Sequence, residues 1–338
     1  MTFFNMASSQ LLGVGLYLQT GEWAGSSRRG LGMETEIRLP PPLDVAASLE
    51  MFRRAGDDGM DRWDGTTAVR TVQLDGRVAA YTLTTSGSLS GPRVVVATDH
   101  VGDLEAVTQL ALRTFVADEE ALARLRAIDP VVAALDERYP GVRPVRQLDL
   151  LGALVRSISA QQVNLEFATV TRRRLAEAFG RRYAVDGFQA RRLDAAVLAG
   201  LRVADLRALQ FSNRKAEYII GAAQAIAAGA ISLPVLEGLP DDEVISRLTA
   251  LRGLGLWTAE WLLARTLGRP RVVAGDLGVR KAIGLLYRDG ALPSEADVRA
   301  ATAHWGNAAG IAQALALHAL AAAGTRRAAS SKVRPRSQ

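Results

Sequence analysis

The sequence contains no cysteine and only three histidines, His100, His304 and His318, among its 338 residues. Without cysteine the chain can form no disulfide, no thiolate zinc site and no cysteine-ligated iron–sulfur cluster, and three scattered histidines disfavour a histidine-based metal site. No apolar run approaches the roughly 18 residues that a membrane-spanning helix needs. Hydrophobic content of 49% and charged content of 22% are typical of a soluble globular protein, and the lack of cysteine is compatible with a reducing cytoplasm.

Positive charge is concentrated in two parts of the chain, although the net charge is only +6. Residues 325–338 carry five basic side chains and no acid, so the rest of the chain holds 36 basic and 35 acidic side chains. Residues 141–220 hold 14 Lys and Arg against 7 Asp and Glu, whereas residues 101–140 hold 4 against 8. A basic middle indicates a local anionic partner, with solvated helix faces as the alternative.

The chain divides by pattern into four segments, since 338 residues exceed what a single hydrophobic core usually supports. Residues 1–35 begin with a Gly- and Ser-rich stretch without sustained period and predict a disordered extension, and the basic residues 325–338 predict a disordered tail. Residues 36–130 mix strand and helix patterns, whereas residues 131–324 are almost entirely helical in period. The sequence thus predicts an α+β N-terminal domain followed by a mainly α-helical domain.

The α+β pattern of residues 36–130 consists of three predicted strands and three predicted helices. Asp44 is the expected N-cap of a helix over 44–55, and Asp75-Gly76 is a strong hairpin signal between two strands. Ile128-Asp129-Pro130 marks the predicted boundary, because the residue before proline avoids the helical conformation. The predicted strands are 67–74, 77–84 and 93–98, and the other predicted helices are 103–116 and 118–127.

Nine apolar runs of helical period follow residue 131 and are separated by Gly, Pro and Asp. Asn164 is the expected N-cap of the second run. The runs are 149–159, 163–179, 190–199, 214–228, 241–250, 256–267, 277–287, 295–304 and 308–323.

Two glycines, Gly253 and Gly255, lie in a short turn between two of these predicted helices. Glycine permits positive φ and the close approach of another backbone. The N–H groups that begin the following helix suit a phosphate oxygen. An ordinary helical hairpin with a glycine C-cap is the alternative interpretation.

Asp276 directly precedes the predicted helix 277–287. Asp is among the preferred N-cap residues, which gives this side chain a structural role. The positive end of a helix also favours an ionised carboxylate. Asp276 is therefore a candidate for a charged functional group as well as for a helix cap.

Residues 251–260, Leu-Arg-Gly-Leu-Gly-Leu-Trp-Thr-Ala-Glu, closely resemble the hairpin of the helix-hairpin-helix DNA glycosylase superfamily. Residues 154–163, 212–219 and 292–297 resemble other segments of that family. The α+β unit is similar to that of its DNA-3-methyladenine glycosylases of the AlkA type. The resemblance covers roughly 39–305 and fades over 305–310, where Ala and Gly stand in place of bulky groups.

The resemblance implies a role for each matching residue. Asp276 falls on the catalytic acid, Trp257 on an aromatic residue of the base pocket, and Gln162 on the side chain that fills the duplex after base flipping. Tyr218 and Phe52 are weaker candidates for the base pocket. The hairpin is expected to bind a DNA phosphate and, through main-chain carbonyls, a monovalent cation. Expected phosphate contacts are Arg252, Gly253, Leu254, Gly255 and Thr258, and further expected DNA contacts are Gln161, Arg214 and Lys215.

The same resemblance implies a simple chemistry. An ionised carboxylate beside C1′ of a flipped nucleotide can stabilise the cationic sugar that forms as the base leaves, or can polarise water. Alkylated purines such as 3-methyladenine are cationic and depart as neutral bases, so no general acid is required. Relatives that also cut the strand have a lysine at the position of Trp257. The enzyme is therefore expected to remove the base and leave an intact abasic strand.

We thus expect a monofunctional DNA glycosylase for alkylated purines of the 3-methyladenine and 7-methylguanine type. It would act on double-stranded DNA as a monomer, in the cytoplasm at the nucleoid, without an organic cofactor and away from membranes. Three alternatives are a non-catalytic DNA-binding protein with the same hairpin, a glycosylase for oxidised or mismatched bases, and a helical scaffold for a protein partner. The carboxylate of Asp276 argues against the first, and the absence of lysine at 257 and of cysteine argues against the common forms of the second.

Overall fold

The structure is a computed structural model that describes residues 33–74 and 76–324 in full and residues 325–332 as backbone. Three parts of the predictions lie outside these residues: the extension over 1–32, Asp75 of the hairpin signal, and the last six residues of the predicted tail.

An antiparallel sheet of five strands forms the centre of the N-terminal part. Its order is β1-β5-β4-β3-β2. Leu74 pairs with Arg77, which confirms the tight turn between the first and second predicted strands. The prediction of a disordered 33–35 is wrong, because Met33 already pairs with Thr98 at the edge of the sheet. The strands are β1 (Met33–Arg38), β2 (Arg62–Trp63), β3 (Thr67–Leu74), β4 (Arg77–Ser88) and β5 (Gly91–Thr98).

Four helices accompany this sheet in the chain. Asp44 caps the first by accepting a hydrogen bond from the N–H of Ala47 at 2.8 Å, as predicted. That helix is shorter than the predicted 44–55, because the chain tightens into a 3₁₀ turn at Glu50–Phe52. The helices are α1 (Val45–Leu49), α2 (Leu104–Leu112), α3 (Glu119–Ile128) and α4 (Pro130–Arg138).

Eleven further helices between Leu150 and Lys332 form the bulk of the described chain. Eight of the nine predicted runs coincide with them, and Asn164 caps α6 through the N–H of Phe167 at 2.7 Å. The helices are α5 (Leu150–Ala160), α6 (Leu165–Phe179), α7 (Ala195–Ala199), α8 (Val203–Arg207), α9 (Asn213–Ala227), α10 (Leu233–Glu237), α11 (Asp241–Thr249), α12 (Leu256–Arg265), α13 (Leu277–Tyr287), α14 (Glu295–Thr302) and α15 (Ala309–Lys332).

A β-hairpin interrupts the helical half where the sequence predicted none. Its strands are β6 (Arg181–Val185) and β7 (Phe188–Arg192), so the predicted helix over 190–199 begins only at Ala195. The apolar side chains of Val185 and Ala190 pack against the central sheet. Within each strand the packed apolar side chains are two residues apart, Tyr183 and Val185 on β6 and Phe188 and Ala190 on β7, which is the period of a strand.

The predicted boundary at Ile128-Asp129-Pro130 does not separate two cores. Helices α3 and α4 pack into one hydrophobic cluster with α13, α14 and α15. Asp129 caps α4 through its Oδ1, while its Oδ2 accepts a hydrogen bond from the Tyr287 hydroxyl at 2.7 Å and lies 2.8 Å from Nε2 of His304. The aspartate therefore joins α4 to the C-terminal helices. The predicted domain boundary at this residue is wrong, because its side chain bonds to residues far along the chain.

Helix α15 continues to Lys332, eight residues into the segment predicted as a tail from residue 325. The prediction of a disordered tail is wrong for residues 325–332. Alanine favours helix more than any other residue, and the segment before 325 is rich in it. None of the helices in the part of the chain described here has the length and apolar character needed to cross a membrane.

A buried network of ion pairs joins the sheet to α5 and α6. Asp61 lies 2.9 Å from Nε of Arg70 on β3 and 2.6 Å from Nη1 of Arg156 on α5. Asp58 lies 3.1 Å from Arg156 and 3.0 Å from Arg172 on α6. Burial alone would raise the pKa of Asp61, but the charges of Arg70 and Arg156 outweigh it and hold that pKa well below its usual range.

We predict that Asp61→Asn lowers the free energy of unfolding by about 3–5 kcal/mol near neutral pH, because two buried guanidinium groups lose a counter-charge. The folded-state pKa of Asp61 is lower than its unfolded value of about 3.9, so the carboxylate stabilises the fold above that value. That contribution is lost as the pH falls toward the folded-state pKa. Urea unfolding of the wild type and the variant at several pH values should show the difference shrinking in acid.

The control for this prediction is Glu36→Gln, which removes a carboxylate from an exposed pair with Arg93. An exposed pair contributes about 0–1 kcal/mol. Equal losses of the free energy of unfolding in Asp61→Asn and Glu36→Gln would contradict the prediction that the buried network stabilises the fold more than an exposed ion pair does.

Candidate active site and nucleic-acid interface

The turn between α11 and α12 has two glycines with different geometries. Gly253 has φ +88°, the left-handed region that favours glycine. The ring of Tyr218 lies directly against it, since a Cβ at residue 253 would be 2.1 Å from Cγ of that ring. Gly255 has φ −98° and open space where a Cβ would be, so the expected positive φ holds for Gly253 only. Leu254, between them, is 3% exposed and anchors the turn in the helical core.

The exposed side of this turn presents the beginning of α12. Gly255 and Leu256 are exposed, and the first N–H groups of a helix have no intrahelical acceptor. Such N–H groups, at the positive end of a helix, suit a phosphate oxygen. The carbonyls of Leu251 and Gly253 each accept one hydrogen bond within the protein and keep a second lone pair, so the turn fits a weakly held monovalent cation.

Three hydrogen bonds join the C-terminal half of α5 to the hairpin and to α9. Gln161 donates from Nε2 to the carbonyl of Gly253 at 3.2 Å. The hydroxyl of Ser157 donates to that of Thr258 at 3.1 Å. Nζ of Lys215 donates to the carbonyl of Ser159 at 2.8 Å. The junction after α5 is therefore held in a fixed position relative to the glycine turn.

These bonds correct three expected DNA contacts. Thr258 is only 1% exposed and its hydroxyl is held inside the protein, so only its backbone remains for a phosphate. The amide of Gln161 is bonded to the hairpin rather than free. Lys215 is half-buried, and this burial lowers its pKa. The three side chains support the interface from within.

Three other predicted contacts are exposed. Gln162 follows the junction with φ +55°, an uncommon conformation for a residue other than glycine, and its side chain is exposed. Arg214 is exposed at the start of α9. Arg252 extends from the turn with Nη2 3.1 Å from Glu217. Gln162, Arg214 and Arg252 therefore stay predicted DNA contacts with exposed side chains.

Asp276 caps α13 with one of its two carboxylate oxygens. Its Oδ1 accepts a hydrogen bond from the N–H of Val279 at 3.0 Å, which confirms the predicted N-cap. Within residues 33–74 and 76–324, no protein group donates a hydrogen bond to Oδ2. Gly278 leaves room beside the carboxylate, since a Cβ there would lie 2.9 Å from Oδ1. One oxygen therefore holds the helix while the other is available to a ligand.

The side chain of Trp257 lies close to the residue that precedes this aspartate. Its Cδ1 is 3.5 Å from the position that a Cβ on Gly275, the neighbour of Asp276, would occupy. Helix α12, which carries Trp257, is fixed by the buried carboxylate of Glu260, which lies 2.8 Å from Arg299 on α14. The structure thus places Trp257 near the chain segment that carries Asp276.

Two further residues border the site and were not identified from the sequence. Arg265 is half-buried, and burial lowers its pKa while the charge of Asp276 acts to raise it. Its Nη1 lies 3.8 Å from Sδ of Met51. Arg265 stands two turns after Trp257 on α12, a spacing that the helical period could have shown. Met51 comes from the N-terminal part, and no sequence pattern places it there.

Two predicted base-pocket aromatics lie elsewhere. Phe52 is buried in the core of the sheet, with the guanidinium carbon of Arg70 5.3 Å from its ring centroid. Its neighbour Met51 faces Arg265 instead, because adjacent residues of the 3₁₀ turn point in different directions. Tyr218 packs against Gly253 beneath the hairpin. Both expectations are therefore corrected.

No group of three or more His, Asp or Glu side chains within the described ranges could hold a metal ion.

We predict that Gly253→Ala lowers the free energy of unfolding by at least about 1–3 kcal/mol, since a non-glycine residue is strained at this φ and its Cβ would overlap the ring of Tyr218. Gly255→Ala, where nothing occupies the position of the added Cβ, should change it far less. Thermal unfolding of both variants is the measurement. In a Tyr218→Ala background, Gly253→Ala should lower the free energy of unfolding by less, because the part of the loss that comes from overlap with the ring is gone. Equal stability of Gly253→Ala and Gly255→Ala would contradict the prediction.

The part of the chain that contains the glycine turn and Asp276 resembles known proteins in sequence. Residues 155–308, from α5 to the turn before α15, match the family model described as HhH-GPD superfamily base excision DNA repair protein. YfjP of Bacillus subtilis is 35% identical over 153 residues, which cover 45% of this chain and 52% of that protein. The DNA-3-methyladenine glycosylase of the same organism is 29% identical over 185 residues, which cover 52% of this chain and 59% of that protein. This chain thus spans little more than half the length of these two curated relatives.

A solved structure extends the likeness to the N-terminal sheet. The 3-methyladenine DNA-glycosylase from Archaeoglobus fulgidus superposes with a TM-score of 0.72 at 24% identity, over 84% of this chain and 96% of that one. At this identity the likeness establishes the fold alone. Residues 155–308 are thus similar in sequence to the HhH-GPD superfamily of base excision DNA repair proteins, and the likeness of fold extends from them to the N-terminal sheet.

Proposed function

We propose that this protein is a monofunctional DNA glycosylase that excises alkylated purines, of the 3-methyladenine and 7-methylguanine type, from double-stranded DNA. The observation that carries the proposal is the carboxylate of Asp276, whose Oδ1 caps a helix while its Oδ2 has no donor among the described residues. In this proposal Trp257, which lies close to Gly275, and Arg265 complete the site around that carboxylate. The family match and the names of the relatives support the same activity.

Binding of DNA depends on the glycine turn in this proposal. Backbone N–H groups at Gly255 and Leu256 take a phosphate oxygen, and the exposed Arg214 and Arg252 add charge beside them. A monovalent cation at the main-chain carbonyls of the turn would add positive charge next to the same phosphate. The protein would act as a monomer on nucleoid DNA.

Base flipping depends on the junction after α5. Gln162 enters the space that the flipped nucleotide leaves, and the bond from Gln161 to Gly253 keeps the junction at a fixed distance from the phosphate-binding turn. The flipped base then stacks on Trp257. Aromatic rings attract cations, so a positively charged alkylated purine is bound better than its neutral parent.

The chemical step needs one carboxylate. As the bond from C1′ to the base nitrogen breaks, its electron pair stays with the base, which leaves neutral because it was cationic. Positive charge develops on the sugar, and Oδ2 of Asp276 stabilises it by direct electrostatic attraction. Water then adds to C1′ and releases a proton. Normal bases would leave as anions at a site that offers no acid, so the leaving group itself provides selectivity.

Arg265 adds positive charge near this carboxylate without a direct hydrogen bond to it among the described residues. Burial lowers the pKa of Arg265, while the charge of Asp276 acts to raise it.

We predict that Asp276→Asn reduces the release of 3-methyladenine from methylated duplex DNA by at least about a hundredfold, because a neutral amide cannot stabilise the cationic sugar. Asparagine also caps helices, so the fold should be kept. The measurement is chromatography of free bases after incubation with methylated DNA, with DNA binding followed separately.

The matched control is Asp194→Asn, at the N-cap of α7, where the carboxylate accepts a hydrogen bond from the N–H of Val197 at 3.0 Å. This variant should keep full activity. Wild-type protein that binds DNA but releases no alkylated base would refute the proposed activity, and equal activity of wild type and Asp276→Asn would refute the role of Asp276.

We further predict that the DNA strand stays intact after base release. Trp257 occupies the position at which strand-cutting relatives have lysine, and an indole cannot form a Schiff base. Incubation with damaged DNA in the presence of borohydride should yield no covalent complex, and breaks should appear only after alkali treatment. A trapped complex that is lost on substitution of a nearby lysine would contradict the monofunctional assignment.

A further inference from the structure

Most of the basic side chains in residues 141–220 already have a hydrogen-bond or ion-pair partner within the protein. Ten of the 14 Lys and Arg side chains there bond to an acid, an amide or a carbonyl oxygen. They are Arg143, Arg146, Arg156, Arg172, Arg174, Arg191, Arg192, Arg202, Arg207 and Lys215. The remaining four have no hydrogen-bond acceptor among the described residues: Arg173, Arg181, Arg182 and Arg214.

Two of these four guanidinium groups lie at one place. Arg173 and Arg182 line a cleft of about 200 Å³ between α6, the β6–β7 hairpin and the loop before β2. Arg181, which precedes Arg182 on β6, is not part of this lining and lies over the ring of Tyr183, 5.5 Å from its centroid. Asp276 is not among the residues that line the cleft.

The acids that line this cleft are largely committed to other partners. Asp58 is buried and bonded to Arg156 and Arg172 behind the cleft wall. Asp57 lies 2.8 Å from Nε of Arg62, which also lines the cleft. Glu177, one helical turn after Arg173, is the single lining carboxylate without an ion pair among the described residues.

The walls of the cleft are themselves held in place. Arg62 donates to the carbonyl of Gln189 on β7 at 2.7 Å, and Arg191 donates to the carbonyl of Gly180 at the end of α6 at 3.0 Å. Arg62 and Arg191 therefore fix the hairpin to α6 and to the loop. Arg173 and Arg182 remain as exposed donors for an anion, against the single charge of Glu177.

The cleft borders the helix that follows the proposed wedge, since α6 begins three residues after Gln162. Arg173 lies eight residues after Leu165, the first residue of α6, which corresponds to about 12 Å along the axis. Phosphates of a DNA strand are spaced by about 3.4 Å along the duplex axis, so this distance corresponds to roughly four base pairs.

We propose that this cleft binds a backbone phosphate of the duplex that flanks the lesion, through the guanidinium groups of Arg173 and Arg182. The choice of nucleic acid as occupant rests on the proposed function. Guanidinium groups bind phosphate oxygens in a bidentate manner and release condensed counterions when they do. The cleft is a second grip on DNA, independent of the glycine turn.

The test is the double variant Arg173→Gln, Arg182→Gln, compared with Arg124→Gln, Arg202→Gln. The control pair removes the same charge from exposed arginines that already have acidic partners. Affinity is measured as a function of salt for two duplexes with a central abasic site, one ending about two base pairs beyond the site and one extending about ten. Thermal unfolding with added inorganic phosphate forms a second arm.

For the long duplex, the cleft variant should bind on the order of fivefold to tenfold more weakly than wild type, and its logarithmic salt slope should fall by about 1. The short duplex and the control variant should be unaffected. Equal losses in the cleft and control variants, or no loss in either, would overturn the proposal. Stabilisation of wild type by inorganic phosphate that the cleft variant lacks, without any change in DNA binding, would show that the site takes a free anion and would overturn the assignment to DNA.

Release of 3-methyladenine by wild-type protein is measured on the same preparations. If wild type releases no base while the cleft variant binds the long duplex more weakly, the proposed enzymatic function is refuted and the cleft remains a DNA-binding site. If wild type releases the base while the cleft variant binds the long duplex as tightly as wild type, the cleft proposal is refuted and the enzymatic function remains.

Discussion

The buried ion network around Arg156 is the interaction on which the rest of the structure depends. Arg156 lies on α5, and its pairs with Asp58 and Asp61 fix that helix to the N-terminal loop beside the sheet. The same helix then contacts α12 through Ser157 and the glycine turn through Gln161. A charge cluster that is costly to bury without its partners thus sets the relative positions of the sheet, the wedge and the hairpin.

In the proposed site, backbone and side chains have different roles. The proposed phosphate-binding part is the backbone of the glycine turn, which is held by the ring of Tyr218 below Gly253 and by the buried Leu254. The proposed chemical part consists of side chains that come from separate elements: Asp276 before α13, Trp257 and Arg265 on α12, and Met51 from the N-terminal part.

Local signals predicted the local structure well. The N-caps at Asp44, Asn164 and Asp276 and the tight turn from Leu74 to Arg77 depend on a few adjacent residues, and the structure confirms each of them. The failures needed long-range information. Helical period cannot show that residues 181–192 pack as strands on a distant sheet, nor that Asp129 bonds to Tyr287 rather than marking a boundary. Residues 325–332 continue the alanine-rich helix α15, which helix propensity favours in spite of their basic charge.

The C-terminal end of α13, at Tyr287, affects the position of its N-terminal end, at Asp276. Asp276 begins this helix and Tyr287 ends it, and the hydroxyl of Tyr287 is held by Asp129, whose neighbouring charge together with burial raises the pKa of the tyrosine. Eleven helical residues form a rod of about 16 Å. A small tilt at the tyrosine end, pivoting on the packed middle of the rod, displaces the carboxylate at the other end by a comparable distance. In the proposed reaction, the alignment of Oδ2 with the sugar would therefore depend partly on Asp129, at the opposite end of the helix.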